Sequence, residues 1–132
     1  MFNKNQLQGI LLSIAKPEVH ISRSDSIQIG YRIRMRINIR GTKTFLEYIE
    51  RSLLQHGIDS KLKEQEHKSR PRPILTISGK DNINKTTVLV PHHLPDSKGD
   101  WFDFRRIAVI VDRGEHHTLE GLDKIFKIKG EI

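Results

Sequence analysis

The 132-residue chain has no cysteine. Disulfides and cysteine-ligated zinc are therefore excluded, whatever the compartment. Aromatic residues make up 6% and tryptophan occurs once. No apolar run reaches the roughly 18 residues that a membrane-spanning helix needs, so no membrane partner is expected. The N-terminal stretch MFNKNQLQGILLSIAKPE lacks the basic cluster and unbroken apolar core of a signal peptide, and it has no arginine-rich transit character. Acid is also scarce: 16 Asp and Glu face 23 Lys and Arg, for a net charge of +7. Such an excess of cation points to an anionic partner. Hydrophobic residues at 36% are still enough for a folded core, and the length suits one domain spanning residues 1–132. The many isoleucines and lysines resemble what AT-rich genomes encode, which hints at a mitochondrial or plastid origin.

What is present is most legible at YRIRMRINIR, Tyr31–Arg40. Tyr31, Ile33, Met35, Ile37 and Ile39 alternate with Arg32, Arg34, Arg36, Asn38 and Arg40. Period 2 is the signature of a strand with one packed face. On the other face, like charges stand about 6.7 Å apart. A plain solvated face would carry mixed polar residues. Four arginines without an acid among them predict a surface for a polyanion.

Around this strand the sequence predicts a helix over Gln6–Ala15, with Leu7, Ile10, Leu11 and Ile14 at helical spacing and Pro17 beyond. A strand over Val19–Arg23 and a polar connection over Ser24–Gly30 complete a hairpin. Thr42 reads as the N-cap of a helix carrying Phe45, Leu46, Ile49, Leu53 and Leu54, which stops at Gly57. Ile58–Gln65 and Ile74–Ser78 read as a second hairpin around the basic loop EHKSRPRP. Asp81–Val90 is ambiguous, because Thr86, Thr87 and Val88 are poor helix formers. Pro91–Gly99 reads as a loop, and Trp101–Val111 and Thr118–Lys129 as closing helices with Trp101 and Phe104 in the core. The sum is an α+β fold, α-β-β-α-β-β-α, with a four-stranded antiparallel sheet and its helices on one face. The free face would carry Arg32, Arg34 and Arg36, with Lys61, Lys63 and Arg72.

Three segments in this order resemble the LAGLIDADG homing endonuclease family. GEHHTLEGLDKIFKIK, Gly114–Lys129, is similar to a closing K-x-H-L-T-x-E-G-L-x-x-I-x-x-I-K pattern. SKGDWFDFRRI and IGYRIRMRINI match shorter ones. LQGILLSIA, Leu7–Ala15, stands where the family writes L-x-G-I-L-L-G-D-G. The resemblance implies a concave sheet that binds nucleic acid, either structured RNA, such as intron or organellar ribosomal RNA, or duplex DNA. It also implies a homodimer through Gly9 and Ser13, and a divalent cation held by an acid at the end of the first helix. Ile14 stands at that acid's place, so cleavage is expected to be lost, with no metal or cofactor; Mg²⁺ would be needed only if activity persists. Glu18 and Lys98 are the only catalytic candidates in that case. The expected nucleic-acid contacts are His20, Ser22, Asn38 and Thr76 on base edges, with Arg23, Arg32, Arg34, Arg36, Arg40, Lys61, Lys63, Arg70, Arg72 and Lys98 on the backbone. The pairs His92–His93 and His116–His117 lack zinc-ligand spacing, and His116 is expected to cap the last helix.

Overall fold

A computed structural model describes residues 1–90 and 100–130, with Asp100 as backbone alone. Helix α1 (Lys4–Ser13) begins two residues before its predicted start. Asn3 and Gln6 form a capping box: each side chain accepts the other's backbone N–H at 2.9 Å. Leu7 and Leu11 are fully buried. Trp101 Nε1 donates to the Leu11 carbonyl at 3.2 Å, tying α1 to a later helix.

Strands β1 (Lys16–Arg23) and β2 (Tyr31–Arg40) pair antiparallel, Lys16 opposite Asn38 through Arg23 opposite Tyr31. Gly30, at φ +85°, closes the connection. Helix α2 (Lys43–Gln55) starts where Thr42 accepts from the Phe45 N–H. Leu46, Ile49 and Leu53 line its buried stripe, whereas Leu54 faces solvent at 59% exposure.

The predicted strand over Ile58–Gln65 shrinks to β3 (Lys61–Lys63). Ile58 is buried ahead of it, the Asp59 N–H is taken by the Asn82 side chain, and Glu64 and Glu66 turn to cations on other elements. Strand β4 (Ile74–Ser78) matches its prediction residue for residue. The ambiguous stretch becomes helix α3 (Lys80–Leu89). Its threonines fit because Thr86 and Thr87 donate their hydroxyls to the Asn82 and Asn84 carbonyls one turn back, at 2.7 and 2.8 Å. Helix α4 (Asp100–Asp112), a 3₁₀ turn (Glu115–His117) and helix α5 (Leu119–Lys129) follow.

The strand order is β1-β2-β4-β3, all antiparallel. Ile37, Ile39, Leu75 and Ile77 project to one side and are fully buried against Leu7, Leu11, Leu46, Leu53 and Phe104. Ile107, Ile110 and Ile125 form a second cluster against Val19, Ile21, Ile33 and Met35. The helices thus cover one sheet face, as predicted.

Candidate nucleic-acid interface

Because register fixes which side chains share a face, the open face can be read from the pairing. Across β1 and β2 it carries Glu18 opposite Arg36, His20 opposite Arg34 and Ser22 opposite Arg32. Across β2 and β4 it carries Arg36 opposite Ser78 and Asn38 opposite Thr76; across β3 and β4, Lys61 opposite Thr76 and Lys63 opposite Ile74. Arg34, Arg36, Lys61 and Lys63 are exposed and Arg32 is half-buried. None of these five is held in an ion pair by another described residue. Lys16, opposite Asn38, belongs to the same face and was missed; it lies outside the predicted strand.

Several expected contacts are placed differently. Arg23 pairs with Tyr31, and Tyr31 stacks edge-on against Phe126 of α5, ring centroids 5.5 Å apart. Arg23 therefore belongs to the helix-side set, at the rim of the sheet. The alternation already requires this, since 19, 21 and 23 share a face. Asn38 is 8% exposed. It donates to Glu18 Oε2 at 2.9 Å and accepts from the Thr76 hydroxyl at 2.9 Å. His20 Nε2 lies 3.2 Å from the same Glu18 oxygen. A polar chain His20–Glu18–Asn38–Thr76 thus crosses three strands. It engages Asn38 and Thr76 within the sheet, where the sequence reading has them on base edges. His20 and Glu18 form the outer end of that chain, and Ser22 stays exposed on the open face.

Arg40 is likewise committed. Its Nε and Nη2 donate to the two Glu66 oxygens at 3.0 and 2.5 Å, a bidentate geometry. Those hydrogen bonds hold the Glu66 carboxyl below its usual range and push the Arg40 guanidinium up. Lys43 grips Glu64 at 2.6 Å in the same way. Together the two pairs fasten the segment after β3 to β2 and α2. Its tip closes with two backbone hydrogen bonds between His67 and Arg70, at 3.1 and 2.9 Å. Arg72 stands on this arm, in the basic loop where the sequence puts it, and not on the free sheet face where it was also expected; Arg70 and Arg72 are both exposed there.

At the end of α1, Gly9 and Ser13 are exposed, and a side chain at Gly9 would meet no atom within 4 Å. Ser13 donates to the Gly9 carbonyl at 2.7 Å. Among the described residues, the small face of α1 is therefore not packed on another helix of the chain. Ile14 follows at 42% exposure. A divalent cation wants oxygen ligands, and the Ile14 side chain has none to give. Among the described residues, no group of three His, Asp or Glu could hold a metal ion. Lys98 and the His92–His93 pair lie outside the described residues. His116 does not cap α5: that role belongs to Thr118, whose hydroxyl accepts from the Gly121 N–H at 3.0 Å.

No family model and no curated protein matches the sequence. Solved structures do match. The homing endonuclease I-TnaI superposes with a TM-score of 0.81 at 24% identity, covering 99% of this chain and 88% of that one. The I-LtrWI LAGLIDADG homing endonuclease bound to target DNA gives 0.82 at 24% identity, over 99% of this chain and 44% of that chain. The archaeal intron-encoded homing endonuclease I-Vdi141I, complexed with DNA, gives 0.81 at 18%, over 97% and 80%. The chain has the LAGLIDADG homing-endonuclease fold, and it spans most of two of these relatives but under half of the third.

Proposed function

We propose that this protein binds nucleic acid across the open face of its sheet, acts as two copies joined through α1, and does not cut. The carrying observation is the row Arg32, Arg34, Arg36, which the fold sets on the face away from the described helices, none of the three held in an ion pair by another described residue. Phosphates supply the missing counter-charge, and a strand-spaced row of guanidinium groups follows a nucleic-acid backbone. Lys61, Lys63 and Lys16 extend the charge, and Arg70 and Arg72 on the hairpin arm reach past it. Two relatives are DNA-bound, which supports duplex DNA as one target. Structured RNA is the other, since an A-form helix is recognised through its backbone and shape.

Two copies are supported by the open small face at Gly9 and Ser13 and by the match to 44% of a longer chain. A leucine at Gly9 enters open space in one copy and blocks close approach in two. Wild type should sediment as a dimer, and Gly9→Leu as a folded monomer with unchanged circular dichroism. A wild type that stays at 15.3 kDa at high concentration, with and without nucleic acid, removes the dimer.

Loss of cleavage rests on Ile14. With Mg²⁺ present, a supercoiled plasmid carrying the DNA that flanks the coding region should stay uncut. Glu18 is the remaining acid near this region of sequence, and its carboxylate is already bonded to Asn38 and His20. A site-specific, Mg²⁺-dependent cut that Glu18→Ala abolishes would establish the competing reading, an active intron-encoded endonuclease.

A further inference from the structure

The sheet ends unevenly beside the arginine row. Strand β4 pairs only with Arg36–Arg40 of β2, so among the described residues the Tyr31–Met35 half of β2 has no strand neighbour on that side. A cavity of about 560 Å³ occupies this edge. Its wall is apolar: Ile33, Met35, Ile83, Ala108 and Val111. Arg34, Arg36 and Lys80 line it with positive charge, against the single acid Asp112, which lies 3.8 Å from Lys80 and accepts from Asn84 at 2.8 Å. His116 and His117 also line it, their rings tilted by 39° with centroids 3.8 Å apart. The Nδ1 atom of His116 is buried without a hydrogen-bond partner. Burial, His117 and Lys80 all hold the His116 imidazole below its usual pKa.

These features belong together in one kind of ligand. An apolar wall and a pair of imidazole rings accept the flat face of a base, and cations beside them accept its phosphate. The volume lies within the range of small-ligand sites, about 300–1,000 Å³. We propose that this cavity takes one unpaired nucleotide splayed out of a structured RNA that lies across the sheet. The proposal rests on the nucleic-acid reading above and narrows it. A regular duplex has no base to offer the cavity, whereas sequence-specific RNA recognition is built on bulges and loops whose bases are already unstacked.

The test uses two RNA hairpins of one sequence, one fully paired and one with a single unpaired 2-aminopurine. The bulged hairpin should bind about 10-fold tighter, the gain expected of one stacked base, and its fluorescence should be quenched. His117 is exposed, so His117→Ala should leave the fold and the paired-hairpin affinity alone while reducing the bulge preference to within about twofold. Lys80→Gln should also lower the preference. Equal affinity for both hairpins, with no quenching, overturns the proposal. A bulged DNA hairpin bound as tightly as the RNA overturns the choice of RNA. Binding of neither hairpin, nor of duplex DNA, defeats the sheet interface itself and the cavity's role with it.

Discussion

Glutamine at Arg32, Arg34 and Arg36 together is expected to abolish tight nucleic-acid binding while leaving the domain folded. The three side chains leave β2 on the face opposite Ile33, Met35 and Ile37, and none holds an ion pair with a described residue. Exposed substitutions of this kind usually shift stability by less than about 0.5 kcal/mol each. Binding responds differently. Each phosphate contact contributes about 0.9 to the slope of log affinity against log salt on duplex DNA. Three lost contacts should therefore flatten that slope by up to about 2.7, and near 0.1 M salt they should lower affinity on the order of 100-fold to 1,000-fold. Ile33→Gln with Ile37→Gln is the matched control on the same strand. Ile37 is fully buried and Ile33 packs on the second cluster, so two amides would enter apolar surroundings without partners and unfold the protein. If the arginine variant keeps wild-type affinity and salt slope, the row is a solvated face.

The strand that carries this prediction was legible because two simple constraints coincide in it. Period 2 separates its residues into two sets, and one set has a core to fill. The same reasoning found β4, the cap at Thr42, and the burial of Trp101 and Phe104. It failed where the deciding partner is far away in sequence. Asn38 belongs to the polar set, yet only the register of three strands brings Glu18 and Thr76 against it. Arg40 is indistinguishable from Arg36 in sequence; Glu66, 26 residues on, makes them different. β-Branched residues obscured α3, because the hydroxyls of Thr86 and Thr87 find carbonyls inside the helix that propensity does not count. Arg23 differs for another reason: its charge suggests the open face, but its parity with Val19 and Ile21 puts it on the helix side. The cavity at the edge of β2 had no local signature at all. It exists because β4 is shorter than β2 and the 3₁₀ turn after α4 folds back over the gap.

Gly121→Ala is expected to destabilise the protein markedly although it adds only one methyl group. Alanine is the better helix former by about 1 kcal/mol, so propensity alone predicts stabilisation at this position inside α5. Packing reverses the sign. A Cβ at Gly121 would overlap the carbonyl carbon and oxygen of Glu115. Those are backbone atoms of the 3₁₀ turn and cannot swing aside as a flexible side chain could. They are also fixed: the Thr118 hydroxyl donates to the Glu115 oxygen at 2.7 Å and accepts from the Gly121 N–H at 3.0 Å. Relief requires α5 to move off the turn. Leu122 and Ile125, buried at 4% and 0% exposure, would move with it, and so would the Phe126 contact on Tyr31. Overpacking of this kind costs about 1–3 kcal/mol or more, which for a domain of this size lowers the melting temperature by roughly 5–10 °C. Glu120→Ala is the neighbouring control. Glu120 is exposed and its ion pair with Lys124, at 3.6 Å, lies at the surface, so melting should change by no more than about 2 °C. Hydrogen exchange should show the loss concentrated in α5 and the turn before it. A Gly121→Ala protein that melts with wild type, with α5 equally protected, would show that the turn and helix do not meet as closely as described.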